Sequence, residues 1–186
     1  LAHAPNGSTR EAAGNWYRRN RVGVAGAGLA LVLAAGAVAF AMNSLSRREQ
    51  ENLLLDQAAD AVRLQQFDEA RRRYGELRGL RPDWFKLHQG LGSLGLAERR
   101  QIDHRCEALR RQGRHAEALA LAAEGRKAIE ESEASFQEAI GRAAADPEAT
   151  PGHRAGVLRG RARARIARGQ DLMEQAGAAY DLRAHA

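Results

Sequence analysis

From Val22 to Met42 the sequence reads VGVAGAGLALVLAAGAVAFAM, 21 residues without a charge, an amide or a hydroxyl. A helix of that length reaches roughly 30 Å, the thickness of a bilayer's hydrocarbon core, and closes its backbone hydrogen bonds internally as lipid requires. Trp16 and Tyr17, followed by Arg18, Arg19 and Arg21, stand where interfacial aromatics and basic anchors belong. The pattern predicts a transmembrane helix over 22–42. Gly and Ala fill more than half of it, and Ala37-Val38-Ala39 and Ala39-Phe40-Ala41 both have the small-x-small form of a signal cleavage site, so a cleaved signal peptide is the competing reading. The length of the uncharged run and of the polar stretch before it favours a retained anchor.

Arg10, Arg18, Arg19 and Arg21 precede the span, and only Arg47 and Arg48 follow it closely. The positive-inside rule therefore predicts a cytoplasmic N-terminus and an extracytoplasmic C-terminal part. Gly26, Ala30 and Ala34 recur at the spacing that lets membrane helices approach each other, which leaves homo-oligomerisation open. The expected organisation is a polar basic segment over 1–21, the membrane helix over 22–42, a juxtamembrane linker over 43–50 and a helical domain over 51–186.

Beyond the span the apolar positions take a helical period. Leu53, Leu54 and Leu55 lead into Ala58, Ala61, Val62 and Leu64, and a second run goes from Phe67 through Ala70, Tyr74 and Leu77. Gln65-Gln66 marks the turn between them, and Pro82 ends the second helix because it lacks an amide donor. Asp146-Pro147 and Pro151-Gly152 mark the clearest later linker, between helices ending near Ala145 and starting near His153. Composition agrees. Aromatics make up only 5% of the 186 residues, prolines number four, and Ala, Leu, Arg, Glu and Gln all favour helix, so the fold class is all-α.

The segment Gln65–Trp84, QQFDEARRRYGELRGLRPDW, resembles the second helix of a tetratricopeptide repeat, with Phe67, Asp68, Glu69, Ala70, Tyr74 and Pro82 fitting that pattern in order. Residues 51–84 then make one full repeat, although Ala58 and Ala61 stand where the family often has Gly and Tyr. Weaker echoes lie in Gly113–Ala122 through Ala118, in Ser135–Ile140 through Phe136 and Ala139, and in Leu172–Tyr180 through Ala176 and Tyr180. Their alanines are not spaced at a regular 34 residues, so the middle is expected to be divergent antiparallel helices. The resemblance implies a helical solenoid whose first helices line a concave groove for a protein partner, and it places Asn52, Leu55, Ala59 and Val62 in that groove. The family's carboxylate-binding version uses Lys and Asn at such positions. Leu55 and Ala59 depart from it, which points to an apolar or helical ligand.

The arrangement of arginine-rich flank, apolar span and repeat-like helices also resembles the membrane-proximal part of some bacterial serine/threonine kinases, which implies the inner membrane of a bacterial envelope. No kinase motif occurs in the chain. With a first residue of Leu rather than Met, it reads as a processed or partial chain, so the sensor portion of a larger signalling protein and a secreted repeat protein are the alternative functions.

Catalytic chemistry finds little purchase. The histidines His3, His88, His104, His115, His153 and His185 are scattered, Cys106 is the single cysteine, and no catalytic, cofactor or metal site is expected. Gly90, Gly92 and Gly95 have the G-x-G-x-x-G spacing but sit in a helical chain, where close helix packing is the reading. The net charge is +6, and only Lys86 and Lys127 are lysines among the 29 basic residues. Arg154, Arg159, Arg161, Arg163, Arg165 and Arg168 form the densest run, in which Arg161, Arg165 and Arg168 share one helical face. The expectation is an ordinary charged face, with phosphate, a lipid headgroup or an acidic protein surface as alternatives. No aromatic interleaves with them to stack bases, so nucleic acid is not the expected partner.

Overall fold

The computed structural model describes the backbone of Thr9–Ala184 and the side chains of residues 13–23 and 25–173. It is all-helical: α1 (Thr9–Arg63), α2 (Phe67–Leu80), α3 (Phe85–Arg111), α4 (His115–Ala145) and α5 (Pro151–Ala184), with no strand among the described residues. The chain divides into two units between Glu49 and Gln50.

In the first unit α1 kinks at Asn20, whose φ of −111° and ψ of 15° are not helical. Its side-chain amide donates to the Trp16 carbonyl at 3.1 Å. The apolar run begins two residues later and is exposed on all sides, from Val22 and Leu29 to Phe40 and Met42. It is the one helix among the described residues that is long and apolar enough to cross a bilayer. Residues 43–50, expected as a linker, are helical. They contain no Gly or Pro to stop the helix, and the Ser44 hydroxyl bonds back to the Ala41 carbonyl at 2.8 Å.

In the second unit, α1 and α2 are joined by three residues, as are α3 and α4, and the two turns are built alike. Gln66 and Arg114 donate backbone N–H bonds to Ala61 and Leu109, while Gln65 and Gly113 donate to Val62 and Arg110. This paired pattern is a Schellman motif, and it puts Gln65 (φ 59°) and Gly113 (φ 76°) in the left-handed region. Ala70 and Ala118 then occupy matching places in the helices that follow, each bonded to the last turn residue and each buried.

The resemblance between the two turns does not extend to helix length. Helix α2 stops two residues before Pro82, but α3, α4 and α5 run for 27, 31 and 34 residues. Ser135–Ile140 therefore lies inside α4 and forms no turn. Phe136 and Ala139 instead continue that helix's buried face. Leu172–Tyr180 lies inside α5, with Ala176 and Tyr180 outside the described side chains, and His3 and His185 lie outside the described residues. The 146–150 linker is where the proline pattern places it: Asp146 accepts a bond from the Glu148 amide, and Thr150 caps α5 through the His153 N–H, with Pro151 in the first helical position.

Helix α3 packs on α2, α4 and α5, and α4 on α5. The core joins Leu54 and Ala58 of α1 to Tyr74, Leu77, Phe85, Leu87, Phe136 and Val157. The three glycines of the G-x-G-x-x-G spacing are what let these helices close. A β-carbon on Gly90 would meet the Tyr74 ring at 2.5 Å, one on Gly92 the Phe136 ring at 2.8 Å, and one on Gly95 the Ala128 carbonyl at 2.8 Å. The buried Ser132 hydroxyl donates to the Gly92 carbonyl at 2.6 Å, a second tie between α4 and α3 at this crossing. At one end of the unit Arg81 pairs with Glu51, Asp146 and Glu148 and lies over the Trp84 ring, joining three parts of the chain.

Candidate binding groove

One face of α3 is left open between the end of α1 and the start of α5. Lys86, Gln89, Ser93, Ala97, Arg100 and His104 recur along it at helical spacing, and three neighbouring cavities that share lining residues lie over them. The first, of about 420 Å³, is walled by Leu55, Ala59 and Val62 of α1 and by Tyr74 and His153. Three of the four residues expected to line a groove thus meet there. Asn52, one turn before Leu55, is exposed and does not line this cavity. Leu55 and Val62 are half-buried, packed against the core on one side and open on the other. The Tyr74 ring backs the cavity, and burial pushes its phenol up to about 12.

The second cavity, of about 360 Å³, shares Gln89 and Ser93 with the first and lies between α3 and α5. Arg100, Arg159 and Arg163 line it, and no carboxylate does. The third, of about 560 Å³, shares Val62 with the first and Arg100 with the second, and adds Phe67, His104 and Arg105.

The basic run of α5 divides by face. Arg165 and Arg168, expected on an ordinary charged face, both bond Glu133 of α4, at 3.2 and 2.9 Å. Their guanidinium groups hold the Glu133 carboxyl below its usual range, and Arg161 beside them is half-buried. That face joins α5 to α4. The face left open carries Arg159 and Arg163, which sequence reasoning did not single out, although their four-residue spacing puts them together on any helix.

Cys106, His88 and His153 are held by packing and hydrogen-bond contacts. The Cys106 thiol is buried, donates to the Ala118 carbonyl at 3.4 Å and has its pKa raised by burial, away from a reactive thiolate. His88 contacts the Pro82 carbonyl at 2.9 Å, and the His153 ring stacks obliquely on Phe85 with centroids 5.4 Å apart. Among the described residues no group of three His, Cys, Asp or Glu side chains could hold a metal ion.

No protein-family model matches the chain, and neither the curated proteins nor the solved structures contain a significant match to it.

Proposed function

We propose that the chain is a membrane-anchored, tetratricopeptide-like scaffold or adaptor that holds a protein partner in the groove over α3 and performs no catalysis of its own. The observation that carries this reading is the open α3 face, with Leu55, Ala59 and Val62 on its α1 side and Tyr74 behind it. Half-buried aliphatics beside exposed polar side chains suit an apolar anchor from a peptide or helix better than a small polar substrate.

The anchor is the 22–42 stretch. Its apolar side chains are exposed around the whole helix, a surface that water disfavours and hydrocarbon accepts. The basic flank before it supports a cytoplasmic N-terminus in the inner membrane of a bacterium, with the helical domain on the other side.

A photo-crosslinking amino acid at Val62, in the full chain expressed in a bacterial host, tests the groove. The expected result is a discrete adduct in the membrane fraction that Ala59→Glu or Leu55→Asp removes while helicity by circular dichroism is retained. An adduct indifferent to both substitutions, or no adduct, would overturn the groove as a partner site.

A further inference from the structure

Many of the arginines among the described residues are paired with carboxylates. Arg63, Arg71, Arg72, Arg73, Arg114 and Arg142 each contact a carboxylate within their own helix or turn, and Arg99, Arg165 and Arg168 reach across to other helices. Arg100, Arg159 and Arg163, like Arg78 and Arg126, are not so paired, but these three are gathered in one place. They line one cavity and have no carboxylate or hydrogen-bond partner among the described residues. Across the three neighbouring cavities Asp56 is the one acidic lining residue among the described residues, against Lys86, Arg63, Arg100, Arg105, Arg159 and Arg163. The chain as a whole carries 29 basic and 23 acidic side chains, so this groove is far more one-sided than composition explains.

Gathering like charges costs stability unless an anion occupies the space between them. The guanidinium fork matches a carboxylate with two parallel hydrogen bonds, and three forks opening into about 360 Å³ leave room for more than one such group. The adjoining cavity supplies the other half of the recognition, because it shares Gln89 and Ser93 with the arginine site and offers Leu55, Ala59 and Val62. A ligand lying along α3 would therefore meet aliphatic and cationic surface in succession. Nucleic acid fits the arginine cavity less well: Phe136 there is 1% exposed and Tyr74 of the adjoining cavity 3% exposed, so neither presents a face on which a base could stack. The half-buried Phe67 ring lies in the third cavity, which Arg159 and Arg163 do not line.

We propose that the groove's occupant is an acidic peptide segment, its carboxylates held by Arg100, Arg159 and Arg163 and an adjacent apolar side chain seated against Leu55, Ala59 and Val62. This rests on the groove being the partner site and names the partner's chemistry. Arg159 and Arg163 are exposed, so reversing their charge leaves the core intact.

The test is fluorescence anisotropy of the full chain in detergent micelles, with a labelled peptide of four glutamates followed by two leucines. Lysine-for-glutamate and serine-for-leucine versions and a single-stranded RNA of equal length serve as comparisons. The expected result is tightest binding of the Glu-Leu peptide, weakened at least about tenfold by the double substitution Arg159→Glu/Arg163→Glu and weakened by added salt. Equal binding of the lysine version, or binding untouched by the double substitution, would overturn the proposal, as would tighter binding of the RNA. If the Val62 adduct forms and depends on Ala59 while the peptide fails, the groove stands and the acidic chemistry falls. If the adduct also fails, both fall.

Discussion

The Phe136 ring of α4 lies so close to Gly92 of α3 that a β-carbon there would stand 2.8 Å from it. Phe136 is 1% exposed and is also met by Gly160 of α5, so the ring has no direction in which to yield. Gly92→Ala should therefore destabilise the fold by about 1–3 kcal/mol despite alanine's better helix propensity. Gly141→Ala, on α4 with nothing within 4 Å of the new methyl group, should be neutral or stabilising by up to about 1 kcal/mol. Urea unfolding of the two variants beside the parent chain decides the matter, and equal midpoints would refute the packing account.

These glycines show how far the sequence could be read. A Gly-rich spacing inside a helical pattern is legible as close packing because the nucleotide alternative needs a preceding strand. The α1–α2 turn, the stop before Pro82 and the 146–150 linker were legible for a similar reason: left-handed caps and prolines act locally. Helix length was not, since Ser135–Ile140 reproduces a turn-proximal motif in residues that continue a helix equally well. The same limit hid the arginine site. Spacing assigns Arg161, Arg165 and Arg168 to one face and Arg159 and Arg163 to another, but which face turns inward depends on Glu133, a residue of a different helix.

Arg99 and Asp171 form a two-pronged pair between α3 and α5, with side chains 11% and 10% exposed. Removing one member leaves the other charge buried, which typically costs about 3–5 kcal/mol. Asp103 also holds Arg99, at 2.6 Å, so the lower end of that range is expected for Asp171→Ala. Replacing both members together, Arg99→Met with Asp171→Leu, should recover most of the loss, because no unpaired charge remains. Thermal melting of the single and double variants measures this directly. A single variant as stable as the parent would show that the pair is not closed in solution.

Tyr74 gives the fold an alkaline limit. Burial raises its pKa from the ordinary 10 to about 12, so the unfolded chain releases this proton at lower pH than the folded one. The contribution is fully present below pH 10 and declines as pH rises from there to about 12, by about 1.4 kcal/mol per pH unit and about 3 kcal/mol in all. Tyr74→Phe should remove that part of the slope while leaving the neutral-pH fold in place. Denaturant midpoints between pH 9 and 12 provide the comparison, and parallel curves for the two proteins would exclude the linkage.

The two Schellman turns predict an improvement. Gly113 adopts its φ of 76° without penalty, whereas Gln65 holds φ 59° at the equivalent place with a side chain attached. A left-handed conformation costs an ordinary residue about 1 kcal/mol, so Gln65→Gly should stabilise the domain by roughly that amount, less a little for glycine's freedom in the unfolded chain. Gly113→Gln should lose a similar amount. Opposite shifts in melting temperature are expected, and shifts of the same sign would mean that the two turns are not equivalent.

The last prediction concerns the apolar stretch of α1. Leu33 lies near its middle and is 64% exposed, with no protein surface over it that a substitution could disturb. If this stretch crosses the bilayer, as proposed, an arginine at its centre costs about 2.5–3.5 kcal/mol of insertion free energy. Leu33→Arg should then reduce the membrane-inserted fraction, whereas Leu33→Ala should leave the chain in the carbonate-resistant membrane pellet. The helical domain beginning at Gln50 is a separate unit, so its proteolytic resistance should be the same in both variants. Fractionation combined with limited proteolysis separates the outcomes: an arginine variant that stays fully embedded would overturn the membrane assignment, and one that leaves the membrane with its domain intact would tie retention to this helix alone.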